Sequence, residues 1–242
     1  MQSDTGATFW NQWWRVGGLL GIGWIVLFII GGFILQGETP SRDDDIAEIR
    51  EYFTDDAEMY LAGDYLIGLG FTLFFLPFLV ILRRVLGVAA GWPNIFARVA
   101  LLAGVIALIW GGIAGFFWGT LAVGAAEHEE IDDSAVRLLM EIDVYAFAGL
   151  QLPVGVFMLA TGLSIWLGRT LSWRWIGIVA IIGGILALIG AAWPIDGDEE
   201  GALAIPGFIG FLLILISVLL ISINLLLTKI EPVEIGPNKT VV

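Results

Sequence analysis

The sequence contains no cysteine, a single histidine (His128) and only two lysines among its 242 residues. Without cysteine the chain has no thiol nucleophile, disulfide, iron–sulfur cluster or thiolate zinc site. One histidine cannot hold a haem between two imidazoles, and the sequence has no glycine-rich phosphate loop ending in Lys-Ser or Lys-Thr. These absences predict that the chain is not an enzyme and carries no cofactor.

Charged residues are also scarce, at 14% of the chain, whereas 58% of the residues are hydrophobic and the mean hydropathy is +0.91. Soluble domains carry about 25% charged residues. Apolar runs of about 20 residues are long enough to cross the ~30 Å hydrocarbon core of a bilayer as helices. The composition therefore predicts an all-α, polytopic membrane protein whose first partner is the lipid bilayer.

Six apolar segments predict six transmembrane helices in one domain that covers residues 1–242. They lie at about 16–35, 65–82, 99–123, 144–167, 176–195 and 203–228. In chain order they form three helical hairpins, each with an acidic connection on the same side of the membrane. Tryptophans near the segment ends, such as Trp92, Trp173 and Trp193, fit the aromatic belts at the two interfaces.

The basic residues are divided unequally between the two sides of the predicted bundle. One side receives eight of the 11 lysines and arginines, and the other receives only Arg42, Arg50 and Arg137. The positive-inside rule predicts that the first side, with both termini, faces the cytoplasm. We expect the protein in the plasma (inner) membrane of a prokaryotic cell. The outer side carries 21 of the 24 acids and a net charge of −18, against +5 inside. This anionic face argues against nucleic acid as a partner.

The first outer connection predicts a short amphipathic helix at about 42–53. Ser41 is a good N-cap, acids follow in the first turn, and Ile49 and Phe53 belong to an apolar stripe at helical spacing. A second helix start at 132–134 is expected to continue without interruption into the fourth span, with Val136 and Met140 facing the bundle.

The interior of the predicted bundle is almost free of charge. No ionisable residue falls in the central part of any span, and the nearest acids, Asp64, Glu141 and Asp143, are placed at the outer interface. Because intramembrane charge marks proton relays and ion pathways, this pattern argues against a proton-coupled pump. Gln151 is the most deeply placed polar side chain. We interpret it as an interhelical hydrogen-bonding group, with ligand binding as the alternative.

Small residues and prolines shape the spans. The third span carries a series of glycines at small-residue spacing, which predicts that it occupies the centre of the bundle: Gly104, Gly111, Gly112, Gly115 and Gly119. Pro77, Pro153 and Pro206 lie in the second, fourth and sixth spans. Each leaves a carbonyl four residues upstream without its helical partner and permits a kink. Packing shape is the simplest interpretation, and a gating or solute role is the alternative.

Two acidic outer loops are candidates for a weakly bound divalent cation. The first loop supplies Glu127, His128 and Glu130. The second supplies Asp196, Asp198 and Glu200, which match the start of a calcium-binding loop, but Gly207 stands where that loop requires a bidentate glutamate. Solvated turns explain the same acids, as does adaptation to high salt. We therefore assign no metal ligands.

Several stretches resemble a group of uncharacterised bacterial and archaeal six-helix integral membrane proteins. They are DIAEIREYF at 45–53, LAGDYLIGLG at 61–70, FFLPFL at 74–79, LRRVL at 82–86 and LSWRWIG at 171–177. The resemblance implies an outer helix that leads into a second span with an arginine-bearing inner turn, and it implies the six-helix layout. The group has no established activity, so no catalytic residue is carried over.

The sequence thus favours a non-enzymatic accessory or interaction protein whose acidic outer face and glycine-lined helices engage a membrane-protein partner or a second copy. The alternative hypothesis is a small transporter or channel for a neutral or cationic solute. In that case the anionic outer face would concentrate cations, and Gln151, Pro77 and Pro153 would line the path.

Overall fold

The computed structural model describes residues 4–37, 39–40, 44–55, 57–127, 132–196 and 202–228, and the regular structure in these ranges is entirely helical. The first part of the chain holds α1 (Asp4–Phe28) with a π-helical continuation (Ile29–Leu35), α2 (Ile46–Asp55), α3 (Ala57–Leu69), a π-helical segment (Gly70–Phe75) and α4 (Leu76–Leu86). The second part holds α5 (Trp92–Glu127), α6 (Asp133–Gly168), α7 (Trp175–Gly190), α8 (Trp193–Asp196) and α9 (Ala204–Leu227). The all-α prediction is confirmed.

Five helices of the described chain are long and apolar enough to cross a membrane. They are Trp13–Leu35, Ala57–Leu86, Trp92–Phe116, Asp133–Gly168 and Ala204–Leu227. A multi-pass membrane protein is therefore the class that the structure supports. The predicted fifth span, 176–195, is divided by a turn at 191–192 into α7 and α8. With 16 residues, α7 is apolar but only about 24 Å long.

The long helices form a closed ring in chain order. Helix α1 packs against the α3–α4 segment, which packs against α5, followed by α6, α7 and α9, and α9 returns to α1. Neighbours run antiparallel, since Gly104 of α5 lies against Leu79 whereas Gly119 lies against Leu61. One end of the ring carries α2, and the other carries the first and last described residues. We call these the α2 end and the terminal end.

The closest helix contacts are made by glycines on α6, α7 and α9. Gly155 and Gly162 of α6 face Gly184 and Gly177 of α7, two helical turns apart. A Cβ atom added to Gly162 would lie 2.5 Å from the carbonyl oxygen of Gly177. Helix α7 meets α9 in the same manner, with backbone against backbone at Gly207. At these glycines the backbones of the three helices approach one another directly.

The expectation that the third span occupies the centre is wrong. Only 28% of its most apolar stretch is buried, compared with 50% for α6. A Cβ atom on Gly112 would meet nothing within 4 Å, and one on Gly111 would meet the Phe71 ring at 3.7 Å and Leu150 at 4.0 Å, both ordinary van der Waals contacts. Glycines at this spacing allow a second helix to approach α5 closely, but the spacing alone does not show whether a helix packs there.

The three prolines occupy different helical environments. Pro153 lies inside α6, as expected. Pro77 follows the π-helical segment, in which the N–H of Leu76 donates to the carbonyl of Phe71, five residues back. The wider turn accommodates a residue that lacks an N–H and crowds the preceding carbonyl. Pro206 lies in the first turn of α9, where no helical bond is lost, so the kink expected there is not required.

Helix α2 is the amphipathic helix predicted in the first connection, although residues 41–43 lie outside the described ranges. Ile49 and Phe53 are fully buried in a small cluster with Tyr60, Val136 and Met140. Helix α6 runs without a break from Asp133 to Gly168, as expected. The Arg50 guanidinium donates to the Asp133 carboxylate at 2.8 Å and joins α2 to the start of α6.

The two halves of the ring are filled differently. Towards the terminal end, large side chains from opposite walls fill the interior completely: Phe78, Leu82, Met158, Ile165, Val218, Ile221 and Leu225 are all at most 2% exposed. Towards the α2 end, the same ring encloses an open space. This difference in filling creates the site described below.

We predict that Gly162→Ala destabilises the protein by about 1–3 kcal/mol, because its new methyl group collides with the backbone of α7. Gly112→Ala is the matched control. Its methyl group meets empty space, so better helix propensity should leave stability unchanged or raise it by up to about 1 kcal/mol. Thermal unfolding in detergent, followed by tryptophan fluorescence, measures both. Equal melting temperatures for the two variants would contradict the α6–α7 contact.

Candidate functional site

A cavity of about 590 Å³ occupies the half of the ring nearest the α2 end. This volume lies within the ~300–1,000 Å³ range of small-molecule sites. All the ring helices contribute to its wall, and the linker between α1 and α2 adds Gln36, Thr39 and Pro40 at the mouth. Between Asp143 near the mouth and Phe157 at the floor, α6 rises about 21 Å. The cavity therefore reaches well into the apolar part of the bundle.

Most of the cavity wall is aromatic or small. The floor combines rings from three helices, where Trp24 lies 4.6 Å from Phe75 and Phe75 lies 5.8 Å from Phe157, measured between ring centroids. Phe28 and Phe211 add a further ring pair at 5.6 Å. On the α5 side the wall is made of small residues: Ala107, Gly111, Ala114 and Gly115. Because these α5 residues have small side chains or none, the cavity stays open opposite the aromatic rings.

Two carboxylates lie on the cavity wall at the same level. Asp64 packs beside Gly115, where an added Cβ atom would lie 2.7 Å from the carboxylate oxygen Oδ1, so the glycine makes room for the acid. On the other side of α5, the Trp110 indole N–H donates to the Ala146 carbonyl at 2.6 Å. Because α5 and α6 are antiparallel, this register places Asp143 within about one helical turn of the level of Gly115. Both acids are within electrostatic range of the Tyr60 hydroxyl.

The structure adds the surroundings of these acids to the sequence analysis. Asp64 and Asp143 were expected at or just outside the outer interface; they lie in the long helices Ala57–Leu86 and Asp133–Gly168, line the cavity, and Asp143 is only 6% exposed. Glu141, two residues earlier, is exposed as expected. An acid lowers the average hydropathy of a window, so a span predicted from hydropathy ends near the first acid. The average does not distinguish an exposed acid from one that faces the interior of a helix ring.

Gln151 provides a deeper polar group in the same cavity. It lies about 12 Å further along α6 than Asp143, is 8% exposed, and its side-chain oxygen has no hydrogen-bond partner. The side chain lies against Gly190 and Gly207, where α7 and α9 are too close for any other residue type. The interhelical hydrogen bond that we expected is therefore not made by this oxygen. A buried acceptor without a partner costs about 1–3 kcal/mol, which favours a role in ligand binding.

Trp24 carries a second polar atom without a partner. Its ring lines the cavity and is 5% exposed, and the indole N–H makes no hydrogen bond. Neither Trp24 nor Asp64 is distinguishable from structural residues in the sequence, since only the ring closure brings them together.

The candidate cation ligands do not form a site within the described residues. His128, Glu130, Asp198 and Glu200 fall outside those ranges, and the side chains of Glu127 and Asp196 are not described. Among the groups that are described, no three histidine or acidic side chains come together as metal ligands. At the start of α6, the Ser134 hydroxyl donates to Asp132 at 2.7 Å and holds the pKa of that exposed carboxyl below its usual range.

We predict that Gln151→Met stabilises the empty protein by about 1 kcal/mol, because an unbranched apolar side chain of similar length removes the unpartnered amide oxygen. Thr161→Val is the matched control. The Thr161 hydroxyl is also buried and unpartnered but lies outside the cavity, so a comparable gain is expected. Denaturation in detergent compares the two. A destabilised Gln151→Met protein would mean that the amide is satisfied in the folded state.

No protein-family model matches this chain, and no curated protein sequence and no solved structure shows significant similarity to it. The resemblance to six-helix membrane proteins of bacteria and archaea therefore stays a prediction. The functional argument rests on the cavity and on the residues that line it.

Proposed function

We propose that this protein binds a small, largely apolar organic molecule in the cavity of its helix ring, as the outward-facing site of a solute carrier or receptor. The observation that carries the proposal is the buried Gln151 oxygen, which lacks a partner inside an otherwise aromatic cavity. Buried polar groups in native proteins are almost always satisfied. A ligand with a donor group would satisfy this one.

The closed terminal half supports access from one side. Residues such as Phe78, Met158 and Val218 fill the ring beneath the cavity, whereas exposed Thr39 lies at its mouth. The π-helical segment before Pro77 contributes Phe71 and Phe75 to the wall. Such segments often occur at functional sites, because their strained hydrogen-bonding pattern can rearrange at low cost. A rearrangement there would change the shape of the cavity floor.

The proposal includes the six-span topology with both termini in the cytoplasm of a prokaryotic cell. It places the α2 end outside and counts α7 with α8 as the fifth span. The antiparallel contacts of α7 with both α6 and α9 support this assignment. Arg83, Arg84 and Arg174 then belong to the cytoplasmic side, in agreement with the positive-inside rule.

The accessory-protein hypothesis from the sequence stays a prediction. The exposed acids Glu48, Glu51 and Glu58 near the α2 end are consistent with a partner surface. The cavity favours the alternative, a protein that handles a neutral or cationic solute, because an accessory subunit has no need of an enclosed space with unsatisfied polar atoms.

We predict that Gly111→Leu abolishes ligand binding, because a leucine at this cavity-lining position projects into the open space. The neutral fluorophore N-phenyl-1-naphthylamine serves as the probe, with the protein in lipid nanodiscs. Wild type should show one saturable site above the lipid background, and Gly111→Leu should lose it. Gly112→Leu, on the adjacent outward-facing residue, should keep it. Loss in both variants, or saturable binding in neither wild type nor control, would contradict the proposal.

The absence of native cysteine allows the topology to be tested by single-cysteine labelling with a membrane-impermeant maleimide. Ser172→Cys and Ala202→Cys flank α7 and α8 and are both exposed. In intact cells Ala202→Cys should be labelled, together with Glu51→Cys on α2, whereas Ser172→Cys should react only after lysis. Labelling of residues 172 and 202 from the same side would show that this segment does not cross the membrane.

A further inference from the structure

We infer that the ligand is an elongated, uncharged aromatic molecule that donates a hydrogen bond to Gln151 at its outer end and accepts one from Trp24 at its inner end. The inference rests on the proposed ligand-binding function and adds the chemical class and the orientation of the ligand. Two buried polar atoms of opposite hydrogen-bonding sense carry it, together with the apolar wall between them.

Both polar atoms belong to side chains that line the cavity and are more than nine-tenths buried. Gln151 is 8% exposed and Trp24 is 5% exposed. Within the described part of the chain, neither the Gln151 oxygen nor the Trp24 indole nitrogen has a hydrogen-bond partner. The amide oxygen can only accept, and the indole N–H can only donate. A ligand that satisfies both must therefore present a donor to the first and an acceptor to the second.

Contacts between α1 and α9 fix the depth of Trp24. One turn before it in α1, Gly21 lies against Ser222 of α9. One turn after it, the Phe28 ring lies 5.6 Å from the Phe211 ring, measured between centroids. The level of Trp24 is therefore about midway between Phe211 and Ser222, at the floor of the cavity.

The Gln151 amide lies nearer the mouth. It contacts Gly207 of α9, which is about ten residues, or about 15 Å along the helix, closer to the α2 end than the level of Trp24. With a hydrogen bond of about 3 Å at each end, the two polar atoms of the ligand are about 10 Å apart. This separation requires an elongated molecule, because a single hydroxyl or amide group does not reach both side chains.

The wall between the two polar atoms indicates an uncharged ligand. The described residues that line the cavity include no lysine, arginine or histidine, and the two acids on the wall lie nearer the mouth than Gln151. Below Gln151 the lining is made of rings and aliphatic side chains such as Val154, Phe157 and Ile214. A charged group buried there would meet no opposite charge, which is costly.

The rings at the floor favour an aromatic body for the ligand. Trp24 and Phe75 lie 4.6 Å apart, and Phe75 and Phe157 lie 5.8 Å apart, measured between ring centroids. Such rings offer faces and edges to a further aromatic ring. Water is a poor substitute as the partner of Trp24, because buried waters need about two to four polar groups and the indole is surrounded by phenylalanine rings.

Three biphenyl compounds test the two hydrogen bonds. The first, 4-acetyl-4′-hydroxybiphenyl, carries a donor and an acceptor at opposite ends of a rigid ring pair. In 4-acetylbiphenyl the donor is removed, and in 4-ethyl-4′-hydroxybiphenyl the acceptor is removed. Affinity is measured by the concentration-dependent rise in melting temperature of the protein in nanodiscs of zwitterionic lipid. For each protein, the preference is the affinity for the first compound divided by the affinity for an analogue.

We expect each side chain to govern one preference. Gln151→Met should lower the preference over 4-acetylbiphenyl by about tenfold relative to wild type and keep the preference over the ethyl analogue. Trp24→Phe should do the reverse. Because all the proteins share the same lipid, differences in how the compounds partition into the bilayer cancel when preferences are compared. The preference that each variant keeps also shows that it is folded.

Matched controls separate these effects from a general change in stability. Ser217→Ala and Thr161→Val also remove buried hydroxyls without a partner, but both residues lie outside the cavity, so both preferences should stay at the wild-type values.

A change of less than about twofold in the assigned preference of either cavity variant would overturn the inference. So would equal losses in the control variants, or saturable binding of the naphthylamine probe without binding of 4-acetyl-4′-hydroxybiphenyl. In each of these cases the proposed binding function still stands, because it is tested by the naphthylamine site and by its loss in Gly111→Leu.

Discussion

Direct backbone contact between glycine faces is the constraint on which this structure depends. Apolar surface gives little drive for helix association in lipid, so helices there are held by van der Waals packing at short range. Helices α6, α7 and α9 achieve this range at paired glycines, where added methyl groups would reach the backbone of the neighbouring helix. The three helices form one rigid side of the ring. Helix α5 is joined to α6 partly through the Trp110 ring, and α1 contacts α9 both through Phe28 and at Gly18, which lies against the Ser222 carbonyl.

The cavity follows from this unequal packing. Where large residues cross the ring, as Phe78 and Met158 do near the terminal end, the interior is filled. Near the α2 end the inward positions of α5 are alanine and glycine, and nothing crosses to replace them. In such an arrangement the unpartnered Gln151 amide oxygen reduces stability, and a packed apolar side chain would be more favourable. Proteins violate local rules of this kind mainly at functional sites, where a ligand offsets the cost.

Much of the architecture was predictable from the sequence, and the site was not. Five long apolar helices follow from hydropathy, α2 follows from its acids and its Ile49–Phe53 stripe, and the continuous α6 follows from the helix start at 132–134. These features depend on local sequence. The centre of the bundle was misjudged because the glycines of α5 face a cavity and those of α6 face a helix, although their spacings look alike.

The two cavity acids show more clearly that local sequence did not predict the site. Asp64 and Asp143 are 79 residues apart, and only the ring closure brings both to the wall of one cavity. Gln151 was recognised as a buried polar residue, but whether its oxygen had a partner depended on the backbone approach of α7 and α9. Pro206 was misread because a kink depends on the position of proline within its helix. Contacts distant in sequence determine the first two outcomes, and the helix start at Ala204 determines the third.

The distinction between surface acids and cavity acids also changes how the anionic outer face is interpreted. Charges in solvent are screened beyond about 8 Å at physiological ionic strength, and more strongly at high salt. Exposed residues such as Glu51 and Glu58 then act mainly by hydrating the surface, which is consistent with a saline environment. Asp143, at 6% exposure, is screened far less by mobile ions. The electrostatic influence of Asp143 within the cavity should therefore persist at ionic strengths that screen the surface acids, because the two sets of acids lie in different dielectric environments.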